Sequence, residues 1–325
     1  VGLSAEILTA LSAGTNWADR KDPNDDNPYL FYGVSYGNGI FVAVGYQGVI
    51  VTSSDGTYWV RNYDSGTEGY QLNGITFGNG IFVAVGDSGA IFTSSDGDEW
   101  RREISPSWNT LHDVTFGDGT FVAVGNEGKI YTSSDGPEWV ASTTPPDAAN
   151  DTLNGVSYGQ GTFVVVGSYG AILNSSDGGA SWTRHYSSNT SSDLNGVSYG
   201  QGSFVAVGYD ETIITSSDGV NWTPIHSTSS GGYRKYFGVT YANNTFAAVG
   251  FEMNYGQGAI LTSSNEVSST DESTELSLYN LDDDFPENVT VAVSSSNTGE
   301  ATVDTTTLTF TPDNWMNAQT VTVTG

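Results

Sequence analysis

Residues 153–182 read LNGVSYGQGTFVVVGSYGAILNSSDGGASW. This stretch contains three short apolar segments, which turn-forming residues separate. Segments this short are typical of β-strands, because a helix that buries one face needs about ten residues or more. The pair Gln160-Gly161 separates the first two segments, and Ser-Ser-Asp-Gly follows the third. The stretch therefore predicts three antiparallel strands, with a fourth that starts at Trp182.

The same pattern occurs six times along the chain. Successive copies begin 39 to 42 residues apart. In each copy a pair such as Asn38-Gly39 joins the first two strands, and Asn-Gly and Asp-Gly pairs favour two-residue hairpin turns. A period this constant predicts an array of structural repeats. The six aligned copies begin at Gly33, Gly74, Asp113, Gly155, Gly196 and Gly238.

The second strand of each copy, as in Phe121-Val-Ala-Val-Gly125, is apolar on both faces. Sheets with two apolar faces need cover on both sides, and four-stranded sheets stacked around an axis form a β-propeller. A linear stack is the competing arrangement. The sixth copy lacks the tryptophan of its fourth strand, whereas Trp17 lies one repeat before Trp59. We therefore expect an all-β, six-bladed β-propeller with four-stranded blades, in which the N-terminal strand closes the last blade. Residues 1–11 fit a short helix or an extra strand.

The turn before the fourth strand has a recurring signature, which is most complete in Ser175, Asp177, Gly179 and Trp182. The signature resembles the Asp-box, or bacterial neuraminidase repeat, and the whole unit is similar to repeats of the photosystem II assembly-factor type. The resemblance covers about residues 12–265. It implies a propeller in which these turns are structural and lie on the face away from any active site.

A second region follows the repeats. We assign residues 1–265 to the propeller, the polar segment 266–275 to a linker and residues 276–325 to a partial β domain. Alternating segments such as Val289-Thr-Val-Ala-Val293 predict antiparallel strands there. The segment 308–325 resembles the immunoglobulin-like or Calx-beta-like repeats of large bacterial adhesins. The region is shorter than a full sandwich, so either the chain is cut or a partner strand completes the domain.

Acidic residues dominate the composition: 37 Asp and Glu oppose 9 Lys and Arg, for a formal net charge of −28. Such a charge disfavours nucleic acids and anionic membranes as partners. The absence of cysteine excludes disulfides and cysteine catalysis. Because Val1 is not a methionine, we expect a processed or excised piece of a secreted or cell-surface protein. Asp282, Asp283 and Asp284 form a candidate calcium site, and a solvated acidic turn is the competing interpretation.

The Asp-box resemblance raises the question of sialidase activity, which needs an arginine cluster at the propeller axis. Five of the six arginines follow a fourth-strand tryptophan within three residues and are expected on outer strands, whereas Arg234 precedes an inner strand. A sialidase is therefore not expected. A general glycosidase needs two carboxylates about 5–10 Å apart. The only candidates that merit a test are in the turns between second and third strands: Asp87, Glu127, Asp210 and Glu211.

The loops of the repeats differ in how much they vary. The turns within the first hairpin and before the fourth strand hardly vary, whereas the turns between second and third strands and the loops between copies vary strongly. Variable loops on a rigid scaffold are common binding sites, and exposed aromatic rings suit sugars and proteins alike. Packing of the loops is the alternative role for these rings. The candidate ligand-binding residues are Tyr46, Asp87, Trp108, Glu127, Tyr169, Tyr209, Asp210, Arg234 and Tyr255.

These observations lead us to expect a non-catalytic, extracellular recognition or adhesion module that binds glycan or a surface partner. One alternative is a structural subunit of an extracellular fibre, joined through an exposed strand edge of the incomplete C-terminal domain. A second alternative is a polysaccharide-acting hydrolase. We expect no cofactor other than calcium, and no membrane span.

Overall fold

A computed structural model describes the blades and several separate strands. Within the described residues, every regular element is a β-strand or a single-turn 3₁₀ helix, and none of these helices has the length and apolarity of a membrane span. The described residues are 30–62, 65–186, 191–226, 234–252 and 257–263, with the strand segments 7–10, 17–20, 276–279, 289–292, 302–303, 307–310 and 323–324.

Strands β1 and β2 precede the blades and pair with each other; they are β1 (Ile7–Ala10) and β2 (Trp17–Arg20). Each blade that follows is a four-stranded antiparallel sheet of consecutive strands, which we letter a to d in chain order. Blade 1 consists of β3 (Phe31–Gly37), β4 (Ile40–Gly45), β5 (Ile50–Ser53) and β6 (Val60–Arg61). Blade 2 consists of β7 (Leu72–Gly78), β8 (Ile81–Gly86), β9 (Ile91–Ser94) and β10 (Arg101–Arg102). Blade 3 consists of β11 (Leu111–Gly117), β12 (Thr120–Gly125), β13 (Ile130–Ser133) and β14 (Val140–Ala141).

The remaining three blades repeat this order. Blade 4 consists of β15 (Leu153–Gly159), β16 (Thr162–Gly167), β17 (Ala171–Ser175) and β18 (Thr183–Tyr186). Blade 5 consists of β19 (Leu194–Gly200), β20 (Ser203–Gly208), β21 (Ile213–Ser216) and β22 (Thr223–His226). Blade 6 consists of β23 (Arg234–Ala242), β24 (Thr245–Glu252), β25 (Gln257–Ser263) and β26 (Leu276–Tyr279). The 3₁₀ helices span Tyr46–Gly48, Asp87–Gly89, Asn126–Gly128, Pro146–Ala148 and Ser168–Gly170.

The predicted hairpin turns are present between strands a and b. In blade 1, φ is 49° at Asn38 and 81° at Gly39, so both central residues lie in the left-handed region. This backbone matches the twist of the flanking strands, and asparagine and glycine adopt it at low cost. The same two-residue turn holds the register of every a–b pair, for example Phe41 opposite Tyr36.

The hydrophobic core lies between neighbouring blades. Strands a of consecutive blades pack side by side from β3 to β23. The side chains of strand b alternate between the two faces: Val83 and Val85 of blade 2 pack against Leu111 and Phe121 of blade 3, and all four are fully buried. Both faces of the strand are therefore covered, as its apolar composition predicts. The all-β, six-bladed β-propeller with four-stranded blades is confirmed.

The expectation that the N-terminal strand closes the last blade was wrong. The fourth strand of blade 6 is β26, in which Tyr279 lies opposite Ile260. Strand β2, which begins at Trp17, pairs with β1 instead. A hairpin between neighbouring segments closes a short loop and costs less conformational entropy than recruitment of a strand from the other end of the chain. Of the two options for residues 1–11, the structure contains the strand.

The boundary between the two regions also differs from the expectation. The chain forms one compact unit over Val1–Tyr279 and a second over Asn280–Gly325. The propeller therefore extends beyond residue 265, because the first strand assigned to the second domain completes the sheet of blade 6. The predicted linker, residues 266–275, lies outside the described residues.

In the second unit, the described residues form two pairs of strands. Strand β27 (Val289–Ala292) pairs with β29 (Thr307–Phe310), and β28 (Thr302–Val303) pairs with β30 (Val323–Thr324). Three of these strands coincide with alternating segments of the sequence. The two pairs do not confirm an immunoglobulin-like or Calx-beta-like domain, so that assignment stays a prediction.

Candidate functional site

The a–b and c–d turns share one face of the propeller. The Asn38 side-chain amide donates a hydrogen bond to the Ser95 carbonyl, at 2.9 Å, and thereby joins an a–b turn to the c–d turn of the next blade. Asn79 makes the same contact with Ser134, at 3.0 Å. We call this side the constant face, because its turns are nearly identical among the blades.

The aspartates of the constant face hold the c–d turns together. In blade 4, the Gly179 N–H donates to Ser175 Oγ, Ser175 donates to Asp177, and Trp182 Nε1 donates to the Gly179 carbonyl. Hydrogen bonds from Ser175 and Ser181 lower the pKa of Asp177 to about 2. The carboxylate is thus an ionised acceptor committed to the turn, which agrees with the structural role that the sequence implies.

The b–c turns lie on the opposite side together with the loops that lead from strand d to the next blade. The Gly128 N–H donates to the Asp151 carbonyl at 2.8 Å, and the Glu211 N–H donates to the Arg234 carbonyl at 3.0 Å. Thr67 likewise donates to the Gly48 carbonyl. We call this side the variable face. Backbone bonds fix its loops to the blades, so their side chains are displayed on a rigid support.

Several predicted ligand residues project from the variable face. Glu127 and Tyr169 occupy the position of the b–c turn with positive φ, 58° and 55°, and both are exposed. Tyr169 is 76% exposed, and Tyr46 is about half exposed. Asp87 accepts a hydrogen bond from Asn73, at 3.2 Å, which ties it to strand a. These residues belong to four different blades.

A second group of predicted residues gathers on blades 5 and 6. The Tyr209 ring carries the Lys235 ammonium 4.1 Å above its centroid and packs edge-on against Phe237. Arg234 Nε lies 3.3 Å from Glu252 Oε2, and its side chain is largely buried. The cation of Arg234 is therefore neutralised within the blade, which weakens its case as a ligand residue.

The candidate carboxylates are distributed over three b–c turns. Asp210 accepts a hydrogen bond from Ser192, at 2.7 Å, whereas Asp87 is bonded to Asn73. Asp87 and Glu127 stand on separate b–c turns, whereas Asp210 and Glu211 are neighbours on the b–c turn of blade 5. Within the described residues no group of three or more acidic or histidine side chains is arranged to hold a metal ion. Tyr255 and the predicted calcium residues Asp282, Asp283 and Asp284 lie outside the described residues.

Trp108 borders an open cleft of the variable face, with a volume of about 280 Å³. The cleft lies between the b–c turn of blade 2 and the loop that leads to blade 3. Trp108 is 79% exposed and Ile104 is 88% exposed. The Arg102 guanidinium stands 4.7 Å from the centroid of the Tyr70 ring and adds a cation to the rim. The lining residues are Ser88, Gly89, Arg102, Glu103, Ile104, Ser105, Ser107 and Trp108.

The cleft combines an anchored base with an exposed apolar surface. The Glu103 carboxylate is buried and accepts a hydrogen bond from Thr93, at 2.7 Å. Tyr131 donates to Ser107 Oγ at 2.6 Å, and this contact anchors the middle of the loop. Exposure of a tryptophan and an isoleucine on one anchored loop is characteristic of binding surfaces.

Sequence reasoning identified Trp108 but missed Arg102 and Ile104. The arginines were expected on the outer strands, and Arg61, Arg102 and Arg184 are indeed on strand d of their blades. However, strand d of blade 2 ends where the cleft begins, so an outer position does not remove Arg102 from the variable face. The available signal was Trp108 itself. It lies within the repeats but, unlike the other tryptophans there, it does not start a strand d.

A buried carboxylate lies at the innermost part of blade 3. Asp113 takes the place that glycine has in the other five copies, and its Oδ2 accepts a hydrogen bond from the Val156 N–H of blade 4, at 2.9 Å. The side chain keeps some accessible surface, yet backbone of two neighbouring blades crowds it. Burial raises the pKa of Asp113 to about 6, against the opposing effect of hydrogen bonds from Val156 and Val114.

Comparisons with known proteins support the fold. A family model described as "DUF6242 beta propeller domain" matches residues 64–195, and no curated protein gives a significant match. A solved structure described as "YCF48 bound to D1 peptide" has a TM-score of 0.56 and 20% identity over 72% of this chain and 77% of that chain. YCF48 from Cyanidioschyzon merolae has a TM-score of 0.57 and 17% identity over 74% of this chain and 84% of that chain. At this level of identity, the chain is similar to YCF48 in its propeller fold.

Proposed function

We propose that the protein is a non-catalytic binding module that holds an extended segment of a protein partner in the Trp108 cleft of the variable face. The observation that carries the proposal is the exposed pair Trp108 and Ile104 beside the cation of Arg102. Such a surface suits a segment with an apolar side chain and a nearby carboxylate. A structurally similar propeller has a peptide bound, which supports a polypeptide as the ligand class.

The rest of the molecular surface makes this cleft selective. The formal net charge of −28 repels acidic partners at long range, and Arg101 and Arg102 are two of only nine basic residues. A partner segment with a single carboxylate among apolar residues would gain a local ion pair with little long-range repulsion. A strongly acidic partner would not.

An array of random-sequence 15-residue peptides, probed with the labelled full chain, tests the proposal. We expect a subset of peptides that share an apolar residue near an Asp or Glu to bind, and the signal to fall about tenfold or more in Trp108→Ala. Tyr58→Ala is the matched control, because Tyr58 is 69% exposed in a c–d turn of the constant face. Equal binding by wild type and Trp108→Ala would refute the cleft as the site.

A glycan ligand is the second candidate. It is favoured by Tyr169, whose ring is exposed and whose backbone N–H donates a hydrogen bond to Asp193 Oδ1 at 2.8 Å. Flat aromatic rings beside hydrogen-bonding groups suit the apolar faces and hydroxyls of sugars. A glycan array with the same labelled proteins separates the two ligand classes: binding that Tyr169→Ala removes and Trp108→Ala leaves intact would replace the peptide proposal.

An extracellular or cell-surface location is part of the same proposal. It is supported by the acidic composition, with 37 Asp and Glu against 9 Lys and Arg. Antibody labelling of intact cells against permeabilised cells tests it, and signal only after permeabilisation would contradict it. Assembly into fibres through the C-terminal strands stays an alternative, which light scattering of the purified chain can detect.

A further inference from the structure

The first five junctions between blades share one contact, at the last residue of strand a. That residue is glycine in blades 1 to 5, and an aromatic ring of the next blade lies directly on it. A Cβ atom built on the glycine would come within 2.0–2.2 Å of the ring, so no other residue fits without displacing the neighbour. The pairs are Gly37 with Phe77, Gly78 with Phe116, Gly117 with Tyr158, Gly159 with Tyr199, and Gly200 with Tyr241.

Blade 6 does not follow this pattern, and its junction with blade 1 is open. It has Ala242 where the others have glycine. The ring in blade 1 that would lie on it is Tyr36, which is 58% exposed. Beside it Val34 is 63% exposed, whereas its equivalent Val114 is 4% exposed. Val249 of blade 6 is 49% exposed, whereas the equivalent valines of strand b in the other five blades are fully buried. Blades 6 and 1 therefore do not meet as the other blades do.

The N-terminal hairpin has the register of the outer half of a blade. In β1 and β2, Leu8 lies opposite Asp19, and this pair is two residues beyond Trp17. In strands c and d of blade 4, Leu173 lies opposite Arg184, two residues beyond Trp182. The other edge of a strand c pairs with strand b in every complete blade, whereas among the described strands β1 has no partner but β2.

The burial of blade 1 follows the same division into an outer and an inner half. On the face that looks away from blade 2, the outer side chains Val51 and Trp59 are each 3% exposed. The cluster to which they belong contains no residue of another blade among the described residues. The inner side chains Val34 and Tyr36 of the same face are exposed. An outer half-blade on this face accounts for both observations.

We propose that the junction between blades 6 and 1 is a docking slot for one β-hairpin of the repeat's a–b type. Its strand b would pair with the edge of β1 that lies opposite β2, and its apolar faces would cover Val34 and Val249. Its strand a would end in glycine, because a Cβ atom at that position would clash with the ring of Tyr36. The residue before that glycine would be small rather than aromatic, because Ala242 leaves no room for a ring. This inference does not depend on the proposed ligand of the Trp108 cleft.

A synthetic peptide tests the slot. Residues 194–208 form the a–b hairpin of blade 5, in which Tyr199 is the ring that lies on the preceding blade and Gly200 is the seat for the next ring. The fluorescent peptide with Tyr199→Ala is titrated into the full chain and followed by anisotropy. We expect it to bind about tenfold or more tightly than the unmodified peptide. In an Ala242→Gly protein, the unmodified peptide should gain affinity and this preference should disappear.

Two matched variants locate the binding. Val34 and Val60 are both 63% exposed, but Val60 lies on strand d, away from the slot. Val34→Asp should weaken binding of the Tyr199→Ala peptide about tenfold or more, whereas Val60→Asp and Trp108→Ala should leave it unchanged; thermal unfolding checks that each variant is folded. Absence of binding at millimolar peptide, equal affinity of Val34→Asp, or a preference unaffected by Ala242→Gly would each overturn the proposal.

Discussion

Gly159 of blade 4 lies beneath the ring of Tyr199 of blade 5, so closely that a Cβ atom on Gly159 would be 2.0 Å from Cγ of Tyr199. The relationship recurs at four other junctions. The glycine is therefore required for the close stacking of the two blades. Gly159→Ala should therefore lower the free energy of unfolding by about 1–3 kcal/mol, because one blade must move outward.

Urea denaturation followed by tryptophan fluorescence measures this loss. Gly258→Ala is the control, because no atom lies within 4 Å of a Cβ built there and the φ of Gly258 is negative or extended. We expect the control to match the wild type within about 0.5 kcal/mol. Equal stability of the two variants would show that the blades adjust without cost.

The serine of each c–d turn should matter more than its exposed neighbour. Ser175 is buried, and its Oγ accepts the hydrogen bond of the buried Gly179 N–H at 3.0 Å. Ser175→Ala leaves that N–H without its acceptor and should cost about 1–3 kcal/mol. Ser176→Ala, at the exposed next position, should have no measurable effect in the same denaturation experiment.

Asp113 should make stability depend on pH in a direction opposite to ordinary carboxylates. Its pKa is raised from 3.8 to about 6 by burial, so the folded protein binds this proton more tightly than the unfolded chain does. The stabilising contribution is complete below about pH 4 and is lost as the pH rises through about 6. The turn carboxylates, such as Asp177 with its pKa lowered to about 2, act below this window.

Asp113→Asn should remove this dependence. We expect the melting temperature of the variant to be flatter than that of wild type between pH 4 and 6.5, as measured by calorimetry. Asp118→Asn, at an exposed hairpin turn, should keep the wild-type profile. Parallel profiles for wild type and Asp113→Asn would contradict a raised pKa at this position.

The ion pair between Arg184 and Asp151 ties blade 4 to the loop that precedes it. Both side chains are about 10% exposed, and burial raises the pKa of Asp151 in spite of the opposing arginine. Arg184→Met should cost about 3–5 kcal/mol, because it leaves a buried carboxylate without its cation. Arg184→Met combined with Asp151→Asn should recover a large part of that loss. A double variant no more stable than the single one would rule out an unpaired charge as the cause.

Much of the site was recognisable before any coordinates, but its assembly was not. Trp108, Tyr169 and Glu127 were predicted on the variable face and are exposed there. The neighbours Arg102 and Ile104 were missed, because their proximity to Trp108 follows from the path of one irregular loop rather than from the repeat. Arg234 was given a ligand role, whereas its pairing with Glu252 arises from strand register.

The sequence by itself determined the repeat, the strands within it, the turns and the six-bladed propeller, because short apolar segments and Asn-Gly or Asp-Gly pairs act locally. Only the tertiary structure decided which strand completes blade 6 and how blades 6 and 1 face each other. These outcomes depend on competition between strands that are distant in the sequence. The strand that begins at Trp17 pairs within a local hairpin, and the strand Leu276–Tyr279 pairs with the strand that contains Ile260. Ala242 differs from glycine by one methyl group, which matters only because a ring of the neighbouring blade would contact it. No local sequence pattern predicts that contact.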